Sequence, residues 1–240
     1  MIYFTGDIHG DVRQARYIID RNNMKKNDVL VLLGDVGLNY YGNNHGDKRL
    51  KRYLNDSGTQ IFCIHGNHEE RPFNIDTYNI YMWHGGQVYV EDAYPNIMFA
   101  KDGELYDLDG HTAIVLGGAY SVDKHYRLMR GLKWFKDEQP SSEIKQYVES
   151  QLNKNGWDVD LVLSHTCPLK YMPVEAFMPG LDQSTVDHST EEWLDDIEDN
   201  IDYKFWLCGH WHINKHIDKI HFLMHDVESM DMLFGRLTGE

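Results

Sequence analysis

Five short, continuously apolar runs constrain the fold of this 240-residue chain more than any other feature. Three lie in the first third of the chain, at residues 2–5, 29–33 and 61–64, and two lie in the second half, at 159–163 and 205–208. Polar turns and helix-like segments separate the first three runs, which predicts a β-α-β-α-β arrangement. Strands joined by such crossovers are parallel and buried on both faces, which explains why these runs do not alternate with polar residues.

The rest of the chain carries several further elements. Closely spaced turns over residues 81–116 predict an antiparallel meander. Pro140 and the serines after it open a predicted helix that extends to about Leu152, and an acidic helix is predicted over 190–200.

Two segments, 119–139 and 168–188, match no clear regular element and are interpreted as insertions. We find no internal repeat, low-complexity segment or linker, so residues 1–240 are predicted to form a single domain.

Composition limits the classes of function. Hydrophobic residues make up 42% of the chain, enough for a large core, which excludes a disordered protein. With 23 Lys and Arg against 38 Asp and Glu, the formal charge is −15, which disfavours long nucleic acid and anionic membranes as partners. The three cysteines show no framework spacing and no apolar run approaches the roughly 18 residues of a membrane span, so we expect a cytoplasmic protein without a disulfide framework.

Each of the five runs ends next to potential metal ligands. The residues concerned are Asp7, His9, Asp35, Asn67, His68, His165, His210 and His212. Because ligands of open α/β sheets gather beyond the carboxyl ends of the strands, these side chains are expected to share one crevice. Each motif alone is weak, since Asp and Gly are common in turns, but their combination at five strand ends indicates a metal site. Carboxylate, amide and imidazole ligands suit Mn²⁺, Fe or Zn²⁺ in a reactive site rather than structural zinc.

The ordered motifs Asp-x-His, Gly-Asp, Gly-Asn-His-Glu, His and Gly-His-x-His, which run from Asp7 to His212, resemble those of the calcineurin-like metallophosphoesterase superfamily, of bacterial or phage type. The resemblance implies an α/β fold, a four-layer α/β/β/α sandwich of two mixed sheets flanked by helices. It also implies a phosphoesterase that uses two divalent metal ions and hydrolyses phosphomonoesters or small phosphodiesters and nucleotides. The nucleophile would be a metal-bridging hydroxide attacking in line. Mn²⁺ is the expected metal, with Fe, Zn²⁺ and Ni²⁺ as alternatives.

The resemblance also implies a role for each matched residue. The first metal would be held by Asp7, His9 and His212, and the second by Asn67, His165 and His210, with Asp35 bridging the two. His68 would lie beside the metals and stabilise or protonate the leaving oxygen, as the catalytic residue.

The chain departs from the family's protein serine/threonine phosphatases after Asp35. Those enzymes continue Gly-Asp-x-x-Asp-Arg-Gly, whereas Val36-Gly37-Leu38-Asn39 supplies neither the aspartate that orients the catalytic histidine nor the phosphate-binding arginine. This disfavours a phosphoprotein phosphatase and leaves the partner of His68 open. Arg71 and Arg127 are candidate substrate-binding residues, because guanidinium binds phosphate through two parallel hydrogen bonds. A solvated or structural role is the alternative for each.

Several features leave alternatives open. The segment around Tyr120, Ser121, Asp123 and Arg127 could line the substrate rim or simply pack as a loop. The segment that contains Tyr171, Met172, Phe177 and Met178 could form a lid, an oligomer contact or core. His216, His221 and His225, on the predicted final strands, are expected to have ordinary hydrogen-bonded roles.

Three functions remain in competition. A small phosphorylated substrate or nucleotide is the expected partner of a phosphoesterase. A nuclease would use the same metal pair, but the charge and the absence of a Lys/Arg stripe oppose long DNA or RNA. A catalytically silent scaffold for protein binding would be expected to have lost ligands, and none of the motif ligands is missing. The oligomeric state is left open.

Overall fold

The computed structural model describes residues 1–177, 180 and 182–238. The strands are β1 (Ile2–Thr5), β2 (Val29–Leu32), β3 (Gln60–Cys63), β4 (Tyr78–Trp83), β5 (Gly86–Glu91), β6 (Ile97–Ala100), β7 (Leu105–Leu108), β8 (His111–Leu116), β9 (Leu161–Ser164), β10 (Phe205–Cys208), β11 (Lys215–Ile217), β12 (Ile220–Phe222) and β13 (Glu228–Ser229). The α-helices are α1 (Val12–Arg21), α2 (His45–Asn55), α3 (Lys124–Arg130), α4 (Ser142–Asn155), α5 (Ser189–Glu198) and α6 (Met230–Thr238). Short 3₁₀ helices lie at Pro72–Asn74, Leu169–Tyr171, Val174–Ala176 and Gln183–Thr185.

The strands form two mixed sheets. One has the order β13-β1-β2-β3-β6-β5-β4 and the other the order β11-β12-β10-β9-β8-β7. The centre of the first sheet, from β1 to β6, is parallel, and so is the centre of the second, from β12 to β8. All five strands predicted from the apolar runs lie in these parallel centres, so their carboxyl ends point to a common edge within each sheet.

Three apolar clusters explain why the sheets and helices stack as layers. The first lies between the two sheets and includes Phe4, Phe62 and Leu207. The second packs α1 and the end of α2 on the first sheet, and the third packs α4 and α5 on the second. The predicted α/β fold of two mixed sheets flanked by helices is confirmed. That residues 1–240 form one domain stays a prediction.

The helix predicted from Pro140 is α4, and it begins where its capping chemistry places it. The Ser141 side chain accepts a hydrogen bond from the Ile144 backbone N–H, and the helix ends at Gly156 in the left-handed region. The predicted acidic helix is α5.

The predicted meander is only partly correct. Strands β4, β5 and β6 pair antiparallel, but β6 also pairs in parallel with β3, and β7 begins the other sheet. The chain passes from the first sheet to the second between β6 and β7, and long-range contacts stabilise this connection. The Asp102 carboxylate accepts hydrogen bonds there from the Gly117 N–H and the Arg71 guanidinium. Turn spacing carries no information about such contacts.

Both predicted insertions contain short elements. The segment 119–139 contains α3, and the described part of 168–188 contains the last three 3₁₀ helices. Met178, proposed above as part of a lid, oligomer contact or core, lies outside the described residues. None of the described helices combines the length and apolarity needed to cross a bilayer.

Candidate metal centre

The loops that follow β1, β2, β3, β9 and β10 meet at one edge of the sandwich. All seven predicted metal ligands lie there in a connected cluster, together with His68. Four of the seven predicted ligands, His9, Asp35, His210 and His212, have positive φ angles between 43° and 65°. Non-glycine residues adopt this conformation at a cost of about 1 kcal/mol or more, which marks these loops as strained.

Two glycines leave space for the carboxylates of the cluster. A Cβ on Gly209 would lie 2.2 Å from Asp7 Oδ1, and a Cβ on Gly66 would lie 2.1 Å from Asp35 Oδ1. The glycines beside the ligands therefore let the backbone of one loop approach the carboxylate of another.

Asp7, His9 and His212 form the first group. Asp7 Oδ2 lies 3.8 Å from His9 Nε2 and 3.3 Å from His212 Nε2, and the two histidine nitrogens are 2.9 Å apart. The backbone N–H of His210 donates to the Asp7 carboxylate and fixes its direction. Three potential ligand atoms from two strand ends thus face one point.

Asn67, His165 and His210 form the second group. Asn67 Oδ1 lies 2.9 Å from His165 Nε2 and 3.1 Å from His210 Nδ1. His165 Nδ1 donates to the Leu33 carbonyl, which leaves Nε2 as the nitrogen with a lone pair. The Asn67 amide donates to Ser121 Oγ, so its oxygen points to the histidines.

Asp35 lies between the two groups. Its Oδ2 is 3.8 Å from His9 Nδ1, and its Oδ1 is 3.5 Å from His165 Nε2. The His68 backbone N–H donates to Oδ1 at 2.8 Å. This carboxylate could therefore contact a cation in either group.

The electrostatics of the cluster favour cations. Burial disfavours the charges of Asp7 and Asp35, but the neighbouring histidines outweigh it and hold both pKa values below the ordinary range. Burial lowers the pKa of His210 well below its ordinary value, so this imidazole is neutral at pH 7. Two buried anions among imidazole nitrogens and an amide oxygen fit borderline divalent ions.

His68 lies at the edge of the cluster, with Nε2 3.9 Å from Asp35 Oδ2. Burial lowers its pKa, which the Asp35 carboxylate opposes. Arg127 Nη2 lies 3.3 Å from His68 Nε2, and Arg127 Nε donates to both carboxylate oxygens of Asp123. The segment after β8 thus brings an Asp–Arg pair to the histidine.

The structure places Arg71 elsewhere. Its guanidinium is buried, with Nη1 2.7 Å from Asp102 Oδ2 and Nε donating to the Asp137 carbonyl. It lines a separate cavity with Pro72 and Tyr147. These contacts favour a structural role for Arg71 over substrate binding.

Sequence reasoning missed Glu69, although it completes the Gly-Asn-His-Glu motif. This fully buried carboxyl accepts hydrogen bonds from the backbone N–H groups of Val36 and Gly37, and so braces the loop that carries Asp35. Burial raises the pKa of Glu69 to about 8.

A cavity of about 220 Å³ opens beside the cluster. Tyr120, Phe177 and Trp211 form aromatic parts of its wall, and Glu191 contributes a buried carboxyl. Asn67, His68 and His210 also line the cavity, so a molecule bound there would touch the cluster.

Two mixed sheets between helices, with carboxylates, an amide and imidazoles converging beyond the strand ends, define an α/β/β/α protein with a candidate metal site. The chain matches the family model described as calcineurin-like phosphoesterase over residues 1–214. It therefore belongs to the calcineurin-like phosphoesterase family, which confirms the resemblance and makes the chain a metal-dependent phosphoester hydrolase by family.

Solved structures show further similarities. The protein TT1561 of Thermus thermophilus is 13% identical, with 93% of this chain and 87% of that chain covered at a TM-score of 0.46. The calcineurin-like phosphoesterase YfkN from Bacillus subtilis is 14% identical, with 88% and 72% covered at a TM-score of 0.33. Another solved structure reaches a TM-score of 0.50 at 12% identity, with 92% and 88% covered. None of the curated proteins matches the chain.

The two groups should differ in how metal binding depends on pH. A hydrogen bond to Asp7 raises the pKa of His212 above its ordinary value of 6.5, whereas the pKa of His210 lies well below it. Because a ligand must lose its proton before it binds metal, acidification should release metal from the first group at a higher pH than from the second. Equilibrium dialysis against Mn²⁺ between about pH 8 and about pH 5, with elemental analysis, would show two separate losses.

The variant His212→Ala serves as the reference for this titration. It should lack the equivalent that leaves at higher pH and keep the other. Simultaneous loss of both equivalents in the unsubstituted protein would contradict the assignment.

Proposed function

We propose that this protein hydrolyses phosphomonoesters or small phosphodiesters, including nucleotides, with two divalent metal ions. The observation that carries the proposal is the pair of three-residue ligand groups with Asp35 between them. Asp7, His9 and His212 would hold one ion, Asn67, His165 and His210 the other, and Asp35 would contact both. We further propose Mn²⁺ as the metal, with Fe, Zn²⁺ and Ni²⁺ as alternatives, and the cytoplasm as the location.

Bound divalent ions supply positive charge to the phosphoryl group and an ionised water as nucleophile. The protein must then orient the ester and stabilise or protonate its leaving oxygen. We propose His68 for the second task, because its ring lies beside the cluster and lines the 220 Å³ cavity where a leaving group could sit.

We propose Arg127 for the first task. It lines an open basin with His9, Asp35 and His68, so its guanidinium can reach a phosphate oxygen near the proposed ions. The Asp123 carboxylate holds this side chain by two hydrogen bonds. We propose that Arg127 supplies the phosphate-binding arginine that the loop after β2 lacks. Asp123 holds Arg127, and Arg127 rather than a carboxylate faces His68.

The charge of the chain supports small substrates. A surface at −15 repels a polyanion over a Debye length of roughly 8 Å at physiological salt. A small ester carries its charge directly into the proposed cationic crevice. The proposed partner is therefore a small phosphorylated molecule or nucleotide rather than long DNA or RNA.

The proposed function is tested by a substrate panel assayed with Mn²⁺, Ni²⁺, Zn²⁺ and Mg²⁺. It contains phosphomonoesters, cyclic nucleotides, dinucleotides, short oligonucleotides and long DNA and RNA. We expect metal-dependent hydrolysis of small esters far in excess of cleavage of long nucleic acid, with weaker salt dependence for the small esters.

Asp35→Asn, purified in parallel, detects contaminating enzymes and should be inactive. Efficient degradation of long nucleic acid by the unsubstituted protein alone would favour the nuclease. Inactivity towards every substrate with every metal would favour the scaffold.

Arg127→Ala should lower kcat/KM for small phosphomonoesters by ~10–100-fold, because charge-assisted hydrogen bonds contribute about 1.5–3 kcal/mol. Metal content should not change, since Arg127 contacts His68 and Asp123 rather than a proposed ligand. Steady-state kinetics and elemental analysis measure the two effects. Arg130→Ala, an exposed position on the same helix, is the matched control and should keep full activity. Undiminished kcat/KM in Arg127→Ala would refute the phosphate contact.

A further inference from the structure

A second cluster of potential metal ligands, separate from the seven residues above, lies where strands β11 and β12 meet β13. His216 Nε2 is 2.8 Å from Glu228 Oε1, and His221 Nδ1 is 3.0 Å from the same oxygen. One nitrogen from each histidine and one carboxylate oxygen lie within 4.8 Å of one another.

The topology explains why these residues meet. Strands β11 and β12 form an antiparallel hairpin in which His216 is directly opposite His221. Glu228 comes from β13, which pairs with β1 in the other sheet. The cluster therefore joins the two sheets of the sandwich. His225, predicted on a final strand, instead follows β12 in a bend.

The burial of two of the three residues suits a metal site. His221 and Glu228 are each only 4% exposed, and the Phe205 ring packs edge-on against His221. Zn²⁺ bonds of about 2.0–2.1 Å in tetrahedral geometry separate ligand atoms by about 3.3 Å. The two nitrogen–oxygen distances of 2.8 and 3.0 Å would therefore have to lengthen slightly when the ion binds. Two imidazoles and one carboxylate are a known ligand set for Zn²⁺.

We propose that His216, His221 and Glu228 form a Zn²⁺ site that links the two sheets. The rings of His216 and His221 are stacked within 10° of parallel, so both nitrogens can face one ion only after His216 turns. That ring has room to turn, because its side chain is 44% exposed and borders a cavity of about 560 Å³. Water from this cavity would complete the coordination.

The site is tested by dialysing the full chain against Zn²⁺ and measuring bound zinc per chain. The unsubstituted protein should hold one equivalent of zinc more than His216→Ala. The candidate metal centre is the same in both proteins, so any zinc bound there does not affect the difference. Zn²⁺ should also raise the Tm of the unsubstituted protein by more than that of His216→Ala. Glu228→Gln keeps the side-chain volume and should lose the same equivalent.

His225→Ala is the matched control, because His225 is exposed, borders the same cavity and lies outside the cluster. It should bind as much Zn²⁺ as the unsubstituted protein. Equal zinc content in the unsubstituted protein and His216→Ala would overturn the proposal, as would a loss in His225→Ala equal to that in His216→Ala.

Discussion

The buried carboxylates Asp7 and Asp35 are the constraint on which the rest of this edge of the molecule depends. Both are almost fully inaccessible, and their low pKa values keep them ionised. Backbone N–H groups of His210 and His68 hold their directions, and Gly66 and Gly209 leave the space that they fill. Two buried charges require positive charge nearby. Loops from five strands converge on them, and three of these loops are strained, at His9, at Asp35 and at His210 and His212.

The sequence predicts those residues of the centre whose positions depend only on the neighbouring strand. A buried parallel strand reads as an apolar run, and the residues just after it are placed by the strand itself, so Asp7, Asn67 and His210 could be located without coordinates. The meander is only partly predictable from the sequence, because turn spacing does not encode the sheet that a strand joins. The role of Arg71 could not be predicted for a similar reason, since its ion-pair partner Asp102 is distant in sequence.

The segment after β8 shows how such contacts alter the site. Its sequence fits no clear element, yet its helix α3 begins just after Asp123, and one turn later Arg127 faces His68. Ser121 in the same segment fixes the Asn67 amide. After Asp35, the loop that follows β2 has no aspartate or arginine side chain that could lie next to His68. Its backbone N–H groups instead donate to the buried Glu69 carboxyl. The side chains of the centre are thus oriented partly by the segment after β8 and partly by the buried Glu69 carboxyl.

A crystal structure of the protein grown with Mn²⁺, with anomalous scattering recorded at the manganese edge, tests the central claim most directly. Two peaks are expected at the strand ends, one contacted by Asp7, His9 and His212 and the other by Asn67, His165 and His210, with Asp35 contacting both. A single peak, or ions bound without Asp35, would contradict the account.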